Sequence, residues 1–228
     1  MSQSMLRRAL PVLIPATGLL YIFAIPSDPE PVKLLFKLIP MALIIGYACL
    51  LAPARERRER KLLLLGLFFC MIGDGTLRWF TVGLSAFLIG HLFYIGCFLH
   101  RRRITRAKLL ALAPLLAYAV YIASQLVQAL LDSDEKDLIA PVLLYVAAIF
   151  FMSIAAIMNG NRYAIAGSLL FLASDSILSW NMFVSEVRYS GPLIMLTYYA
   201  AQWLIASSLL APRERRPAAA EPRSSSFR

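Results

Sequence analysis

The chain has 228 residues, of which 60% are hydrophobic and 16% are charged, and its mean hydropathy is +0.69. Soluble domains carry about a quarter charged residues, so this composition argues against a soluble globular protein and indicates a membrane protein. The net charge of +10 comes from basic residues placed between apolar segments. Because no basic module stands apart from those segments, nucleic acid is not the expected partner.

Apolar segments of about twenty residues, long enough to cross a bilayer core of about 30 Å, follow one another along the chain. They predict spans at about 9–25, 32–52, 62–80, 83–99, 109–131, 139–158, 163–183 and 192–210. We therefore expect an all-α, polytopic membrane helix bundle of about eight transmembrane helices, with residues 1–210 as a single integral membrane domain. Residues 211–228 are rich in Pro, Ala, Ser and Arg, which predicts a disordered basic cytoplasmic tail.

The loop charges predict the orientation of these spans. The N-terminus, the tail and the loops after spans 2, 4 and 6 hold most of the Lys and Arg, whereas the alternate loops are acidic or nearly neutral. Basic loops stay in the cytoplasm, so both termini are predicted to be cytoplasmic, as an even number of spans requires. The expected location is the inner membrane in a bacterium or an endomembrane in a eukaryote.

Two short segments indicate an internal repeat. The sequences "GDGTLRW" (73–79) and "SDSILSW" (174–180) share Asp, Leu and Trp at the same offsets. They fall in spans 3 and 7, which run in the same direction, as a parallel four-plus-four repeat requires.

Ionisable side chains inside four spans are the first candidates for a functional site, because such groups are costly in a bilayer. They are Lys37, Asp74, His91 and Asp175. A helical rise of 1.5 Å per residue places all of them, and also Tyr198 and Tyr199, about 8–12 Å below the outer membrane boundary. Groups from five helices at one depth predict a buried site in the outer half of the membrane.

Helical spacing adds further side chains to this layer. Phe87, His91, Tyr94 and Phe98 share one face of span 4, and Tyr198 and Gln202 share one face of span 8. The hydroxyl of Tyr198 and the amide of Gln202 are therefore expected to line one cavity, although aromatic residues at this spacing are also typical of packing.

The residue types exclude some chemistries. A zinc hydrolase needs three protein ligands, and the chain has two histidines, one of them in a basic loop. No G-x-S-x-G elbow of a serine lipase occurs. No metal site is predicted, and a pair of carboxylates in an apolar setting remains. Burial favours the neutral form of a carboxyl group, so one of the pair is able to donate a proton while the other stays ionised.

The motifs together resemble the YhhN-type lysoplasmalogenases. They are "KxxP" at Lys37, "GD" at Asp74, "HxxY" at His91 and Tyr94, "SD" at Ser174 and Asp175, and "LIMLTYYAAQ" at 193–202. This resemblance covers spans 2 to 4, 7 and 8. It implies a multi-pass enzyme that hydrolyses the vinyl ether bond of lysoplasmalogens to a fatty aldehyde and a glycerophospho-base, without a cofactor.

Such a reaction begins with protonation of a carbon atom and passes through an oxocarbenium ion, which suits a protonated and an ionised carboxyl group. The resemblance implies Asp74 and Asp175 in these roles, with Lys37 as a phosphate contact. The expected supporting residues, which bind a lysophospholipid drawn from the bilayer or orient water, are His91, Tyr94, Ser174, Tyr198, Tyr199 and Gln202.

Three other functions fit the same buried charges. A lipid or solute transporter would use them as a pathway, and a structural membrane protein would pair the carboxylates with Lys37. An intramembrane aspartyl protease also uses two aspartates, but its "YD" and "GxGD" motifs are absent around Asp74 and Asp175.

Overall fold

The computed structural model describes residues 3–26, 28–51, 57–100, 105–133 and 135–210. Over these ranges the regular structure is entirely helical, which confirms the predicted fold class. The long helices are α1 Gln3–Phe23, α2 Glu30–Leu51, α3 Arg57–Thr76, α4 Phe80–Leu99, α5 Arg106–Asp132, α6 Ile139–Asn159, α7 Arg162–Ser179 and α8 Ser190–Ser207. Short 3₁₀ turns at Lys136–Leu138 and Ser208–Leu210 precede α6 and follow α8, and a π-helical segment at Trp180–Val184 continues α7. The predicted tail lies outside the described residues, and the single membrane domain over 1–210 stays a prediction.

Seven of the eight long helices are long and apolar enough to cross a membrane, and α3 is the exception. It begins with the charged sequence "RRERK" at 57–61, which shortens its apolar part. Nevertheless α3 lies antiparallel to α4 along its length. At one end of the pair the Cys97 thiol lies 3.5 Å from the Glu59 carbonyl, and at the other end Leu77 lies against Gly83. Helix α3 therefore lies beside a helix that qualifies as a span.

Small residues bring α3 and α4 into close contact. A Cβ atom on Gly66 would lie 2.4 Å from the ring of Tyr94, and one on Gly73 would lie 2.6 Å from the ring of Phe87. Both glycines are therefore required for this approach. Small residues are the usual means by which membrane helices approach each other, because lipid offers little hydrophobic driving force for association.

Polar bonds fasten α7 to α8. The Asn161 side chain caps the first turn of α7 by accepting from the backbone N–H of Tyr163 at 2.9 Å. Its amide group also donates to the carbonyl of Ser208 after α8. Deeper in the bundle, the Ser174 hydroxyl donates to the carbonyl of Ile194 at 3.0 Å. These bonds join the helices that carry the second aspartate and the two adjacent tyrosines.

The last turn of α3 differs from the predicted span. That span was expected to continue to residue 80, but α3 ends at Thr76 and α4 begins at Phe80 after a short turn. Asp74 consequently lies in the final turn of its helix, whereas Asp175 lies one turn before the end of α7. Both aspartates are buried, as are His91, Gln202 and Ser174.

Candidate active site

Asp74 is held by a cation and by a hydroxyl group. The Lys37 Nζ atom on α2 lies 3.5 Å from Asp74 Oδ1 and donates to the Asp74 backbone carbonyl at 3.3 Å. The Tyr198 hydroxyl on α8 donates to Asp74 Oδ2 at 2.6 Å. A nearby positive charge and a donated hydrogen bond both favour the ionised form of a carboxyl group. The sequence prediction brought these three residues to one depth, and the structure brings them into contact.

Tyr199 contacts the backbone of α2. Its hydroxyl donates to the Lys37 carbonyl at 2.8 Å, and its ring packs edge-on against Tyr21 of α1 at a centroid distance of 6.1 Å. The two adjacent tyrosines of α8 therefore bond to different helices: Tyr198 bonds to α3 and Tyr199 bonds to α2. Tyr199 positions the segment that carries Lys37 and, among the described residues, makes no hydrogen bond to an aspartate.

Asp175 has a different partner. The Tyr145 hydroxyl on α6 donates to Asp175 Oδ2. Within the described part of the chain, no Lys or Arg forms an ion pair with Asp175. The two aspartates therefore differ in charge environment, one beside an ammonium group and the other beside a neutral phenol.

His91 occupies the centre of the bundle. Its Nδ1 atom lies 2.6 Å from the Phe87 carbonyl, which only accepts, so Nδ1 carries the proton and Nε2 of the neutral ring has a free lone pair. Among the described residues, His91 Nε2 has no hydrogen-bond partner. The ring packs edge-on against Phe171 at 4.6 Å and Tyr145 at 5.4 Å between centroids.

Tyr94 and Gln202 form a pair of their own. The Tyr94 hydroxyl donates to Gln202 Oε1 at 2.7 Å, and Gln202 Nε2 is buried with no partner among the described groups. Tyr198 and Gln202 share a face of α8, as predicted, but their polar atoms bond to α3 and α4 respectively. The Ser174 hydroxyl bonds to Ile194 and so holds α7 on α8 without contacting either carboxylate.

Aromatic contacts connect the two aspartates. The Tyr198 ring packs on Phe171 at 5.4 Å, and Phe171 in turn packs on His91, which packs on Tyr145. Tyr198 bonds to Asp74 at one end of this series, and Tyr145 bonds to Asp175 at the other. The buried polar groups therefore form one connected assembly in which the two carboxyl groups have different partners.

An apolar groove with a volume of about 40 Å³ reaches Asp175. Its walls come from α4, α5, α6, α7 and the π-helical segment, and its polar lining consists of Tyr145, Asp175, Ser176 and Ser179. Asp74 does not line this groove. Asp175 is thus the aspartate of the pair that borders this groove.

Tyr145 is the contact that the sequence prediction missed. It lies six residues after the start of α6, about 9 Å along the helix and at the depth predicted for the other groups. Applying the same depth estimate to tyrosines in every span would have found it. Across the described ranges, no three His, Cys, Asp or Glu side chains come together as a group that could hold a metal ion.

Comparison with known proteins identifies the family. Residues 32–209 match the model of the YhhN family. The chain is 32% identical over 210 residues to mouse lysoplasmalogenase TMEM86B, covering 90% of this chain and 87% of that protein. It is 33% identical over 231 residues to human lysoplasmalogenase TMEM86A, with 90% of each chain covered. A lysoplasmalogenase of Mycobacterium tuberculosis is 30% identical over 190 residues, covering 80% of this chain and 72% of that one. No solved structure matches. The chain therefore belongs to the YhhN family.

Proposed function

We propose that this protein is a lysoplasmalogenase, an integral membrane hydrolase that cleaves the vinyl ether bond of lysoplasmenylethanolamine or lysoplasmenylcholine. The products are a fatty aldehyde and the glycerophospho-base. Relatives from mammals and mycobacteria that align over most of this chain carry the name lysoplasmalogenase. These relatives favour the hydrolase over the transporter alternative. The structural observation that carries the proposal is the pair of buried aspartates with different charge environments, one of which lines an apolar groove.

The reaction needs a proton at carbon and a water molecule. Protonation of the vinyl carbon beta to oxygen turns the vinyl ether into an oxocarbenium ion, and water adds to the neighbouring carbon and loses a proton. The resulting hemiacetal collapses as its hydroxyl loses a proton and the departing glycerol oxygen gains one. General acid catalysis and stabilisation of the cation therefore supply the rate enhancement.

Asp175 is the proton donor in this mechanism. It lies on the wall of the groove, and its identified partner is the neutral Tyr145 hydroxyl. Burial favours a protonated carboxyl group, and although the Tyr145 bond opposes this, no cation adds to that bond as Lys37 does at Asp74. After the proton moves to carbon, the Tyr145 hydroxyl stabilises the new Asp175 carboxylate, and a proton released from the attacking water restores the acid.

Asp74 is the ionised partner. Lys37 and the Tyr198 hydroxyl stabilise its carboxylate, and packed aromatic rings lie between it and the groups around Asp175. A negative charge in a low-dielectric site stabilises a cation that forms nearby. Lys37 thus maintains the charge of Asp74 in this mechanism, and its contact with the substrate phosphate stays a prediction.

His91 orients the attacking water in this scheme. Its Nε2 lone pair is available because Nδ1 is committed to the Phe87 carbonyl, and its ring packs beside Tyr145. The Tyr94–Gln202 pair braces the neighbouring region of α4 and α8. The mechanism uses no cofactor.

The test is aldehyde release by the purified protein from a lysoplasmalogen and from its saturated alkyl ether analogue. We expect hydrolysis of the vinyl ether alone. Asp175→Asn and Asp74→Asn should each lower kcat by about a hundredfold or more, because general acid catalysis contributes factors of that size. Asp137→Asn, at an exposed position before α6, is the matched control and should retain full activity. Wild-type activity in folded Asp175→Asn would refute the assignment, and no aldehyde from any lysoplasmalogen would revive the transporter alternative.

A further inference from the structure

Two fully buried side chains at the centre of the bundle, His91 on α4 and Gln202 on α8, each keep a nitrogen atom without a protein partner. His91 Nδ1 donates to the Phe87 carbonyl, which leaves the lone pair of Nε2 free. Gln202 Oε1 accepts from the Tyr94 hydroxyl, which leaves the two N–H groups of Nε2 free. Within the described ranges neither nitrogen has a hydrogen-bond partner. Since buried polar groups are nearly always bonded to protein or to ordered water, both nitrogens require a partner.

The two nitrogens are complementary in their chemistry. His91 Nε2 only accepts, whereas Gln202 Nε2 only donates. The Cys70 thiol and the Tyr198 hydroxyl also lie near Gln202, but neither has the geometry of a hydrogen bond to Nε2. A molecule that accepts one bond and donates another would satisfy both nitrogens, and water is the smallest molecule that does so.

Matching glycine contacts relate the helix pairs α3–α4 and α7–α8. In the first pair, a Cβ atom on Gly66 would lie 2.4 Å from the ring of Tyr94. In the second pair, a Cβ atom on Gly167 would lie 2.8 Å from the side chain of Ile205. Each pair thus has one close approach, between a glycine of the first helix and a large side chain of the second.

His91 and Gln202 occupy the same position relative to these contacts. His91 lies three residues before Tyr94, and Gln202 lies three residues before Ile205. Residues at this spacing share one face of a helix, so the two polar side chains lie at equivalent levels of α4 and α8. Tyr94 links them, because its ring centroid lies 6.4 Å from that of His91 and its hydroxyl lies 2.7 Å from Gln202 Oε1.

We propose that one water molecule lies between His91 Nε2 and Gln202 Nε2, and that it is the water consumed in hydrolysis. The water accepts from Gln202 and donates to His91. Its place is beside the acid, because the His91 ring packs on Tyr145, whose hydroxyl donates to Asp175. Gln202 is therefore a water-binding residue as well as the partner of Tyr94.

The second part of this inference rests on the proposed function. When the oxocarbenium ion forms, the water oxygen bonds to its electrophilic carbon atom, and the O–H proton that points at His91 moves to Nε2. The imidazolium ion then gives up this proton, which restores the acid form of Asp175. One water molecule is consumed, and no proton is gained or lost over the cycle.

A crystal structure of the full chain in a lipid phase tests the water site. We expect density for one water molecule within about 3.2 Å of both nitrogens. Gln202→Leu should lose this water, and Thr197→Val, which removes a hydroxyl bonded to carbonyl groups of its own helix, should keep it. A wild-type structure without that water, whether Gln202 Nε2 bonds to Cys70, to Tyr198 or to neither, would overturn the site. The wild-type structure decides this point even if Gln202→Leu does not fold.

Competition between water and methanol tests the role of this water in hydrolysis. Methanol that adds to the oxocarbenium ion and loses its hydroxyl proton gives a mixed methyl acetal in place of the aldehyde. Gln202→Leu should raise the ratio of acetal to aldehyde about fivefold, the factor expected from one lost hydrogen bond, and Thr197→Val should leave the ratio unchanged. Free aldehyde incubated with methanol and the protein controls for acetal formed later. An unchanged ratio in folded Gln202→Leu would overturn this role.

The two readouts separate this inference from the proposed function. Ordered water at both nitrogens without aldehyde release from any lysoplasmalogen would contradict the proposed function and leave the water site in place. Aldehyde release by a protein whose structure lacks this water would contradict the water site alone.

Discussion

At the scale of single residues, Asp74 depends on Lys37. Removing the ammonium group with Lys37→Met leaves a buried carboxylate without its cation, which costs several kcal/mol unless the group takes up a proton. We expect kcat for vinyl ether hydrolysis to fall about a hundredfold, whereas Lys37→Arg, which keeps the charge, should retain most of the activity. Lys136→Met, at an exposed position, controls for loss of a basic residue. Equal activity in Lys37→Met and wild type would show that Asp74 does not need to be ionised.

Tyr145 gives a second test at this scale. Tyr145→Phe removes the hydroxyl that donates to Asp175 and leaves the ring packing on His91 in place. A hydrogen bond to a charged group contributes about 1.5–3 kcal/mol, so kcat should fall at least about tenfold with little change in KM. Tyr121→Phe, which removes a hydroxyl from an exposed ring on α5, should have no effect. An unchanged kcat in Tyr145→Phe would show that the Tyr145 hydroxyl takes no part in proton transfer by Asp175.

At the scale of helices, the α3–α4 contact holds Asp74 in place. Gly73→Val would put side-chain atoms into the Phe87 ring, and overpacking of this kind costs about 1–3 kcal/mol. We expect the midpoint of thermal unfolding in detergent to fall by about 5 °C. Gly75→Ala has open space around its new Cβ atom and is the matched control. Equal unfolding temperatures for the two variants would contradict the close approach of these helices.

The helices themselves were predictable, but their partners were not. Hydropathy and length predicted the eight long helices of the described ranges, because a bilayer requires about twenty apolar residues per span. Depth along each helix also grouped Lys37, Asp74 and Tyr198 correctly. It did not predict that Gln202 bonds to Tyr94 or that Ser174 bonds to a backbone carbonyl, because these contacts depend on helix rotation and on which helices are neighbours. Tyr145 was missed because a tyrosine in an apolar span is ordinarily a packing residue.

At the scale of the whole molecule, the two halves resemble each other in their contacts. If α1–α4 and α5–α8 are taken as the two halves, a side chain of the second helix contacts the aspartate of the third helix in each half. Lys37 of α2 pairs with Asp74 of α3, and Tyr145 of α6 donates to Asp175 of α7. This is the arrangement that a parallel four-plus-four repeat would produce. The repeat itself stays a prediction, because the shared sequence is short.

The predicted orientation has a direct test on the whole molecule. A cysteine introduced at Glu186, between the π-helical segment and α8, should react with a membrane-impermeant maleimide added to intact cells. One introduced at Arg57, at the start of α3, should react only after the cells are permeabilised. This follows from the basic loops staying in the cytoplasm. The reverse labelling pattern would show that the bundle has the opposite orientation, with the candidate site in the cytoplasmic half of the membrane.

Proton transfer from Asp175 to a vinyl carbon is the central claim, and hydrolysis in D₂O tests it most directly. We predict that the aldehyde, trapped as it forms, carries one deuterium at C2, and that Asp175→Asn yields no such product at a measurable rate. Unlabelled aldehyde incubated with the protein for the same time controls for exchange with solvent. Labelled aldehyde formed by folded Asp175→Asn at the wild-type rate would contradict this account.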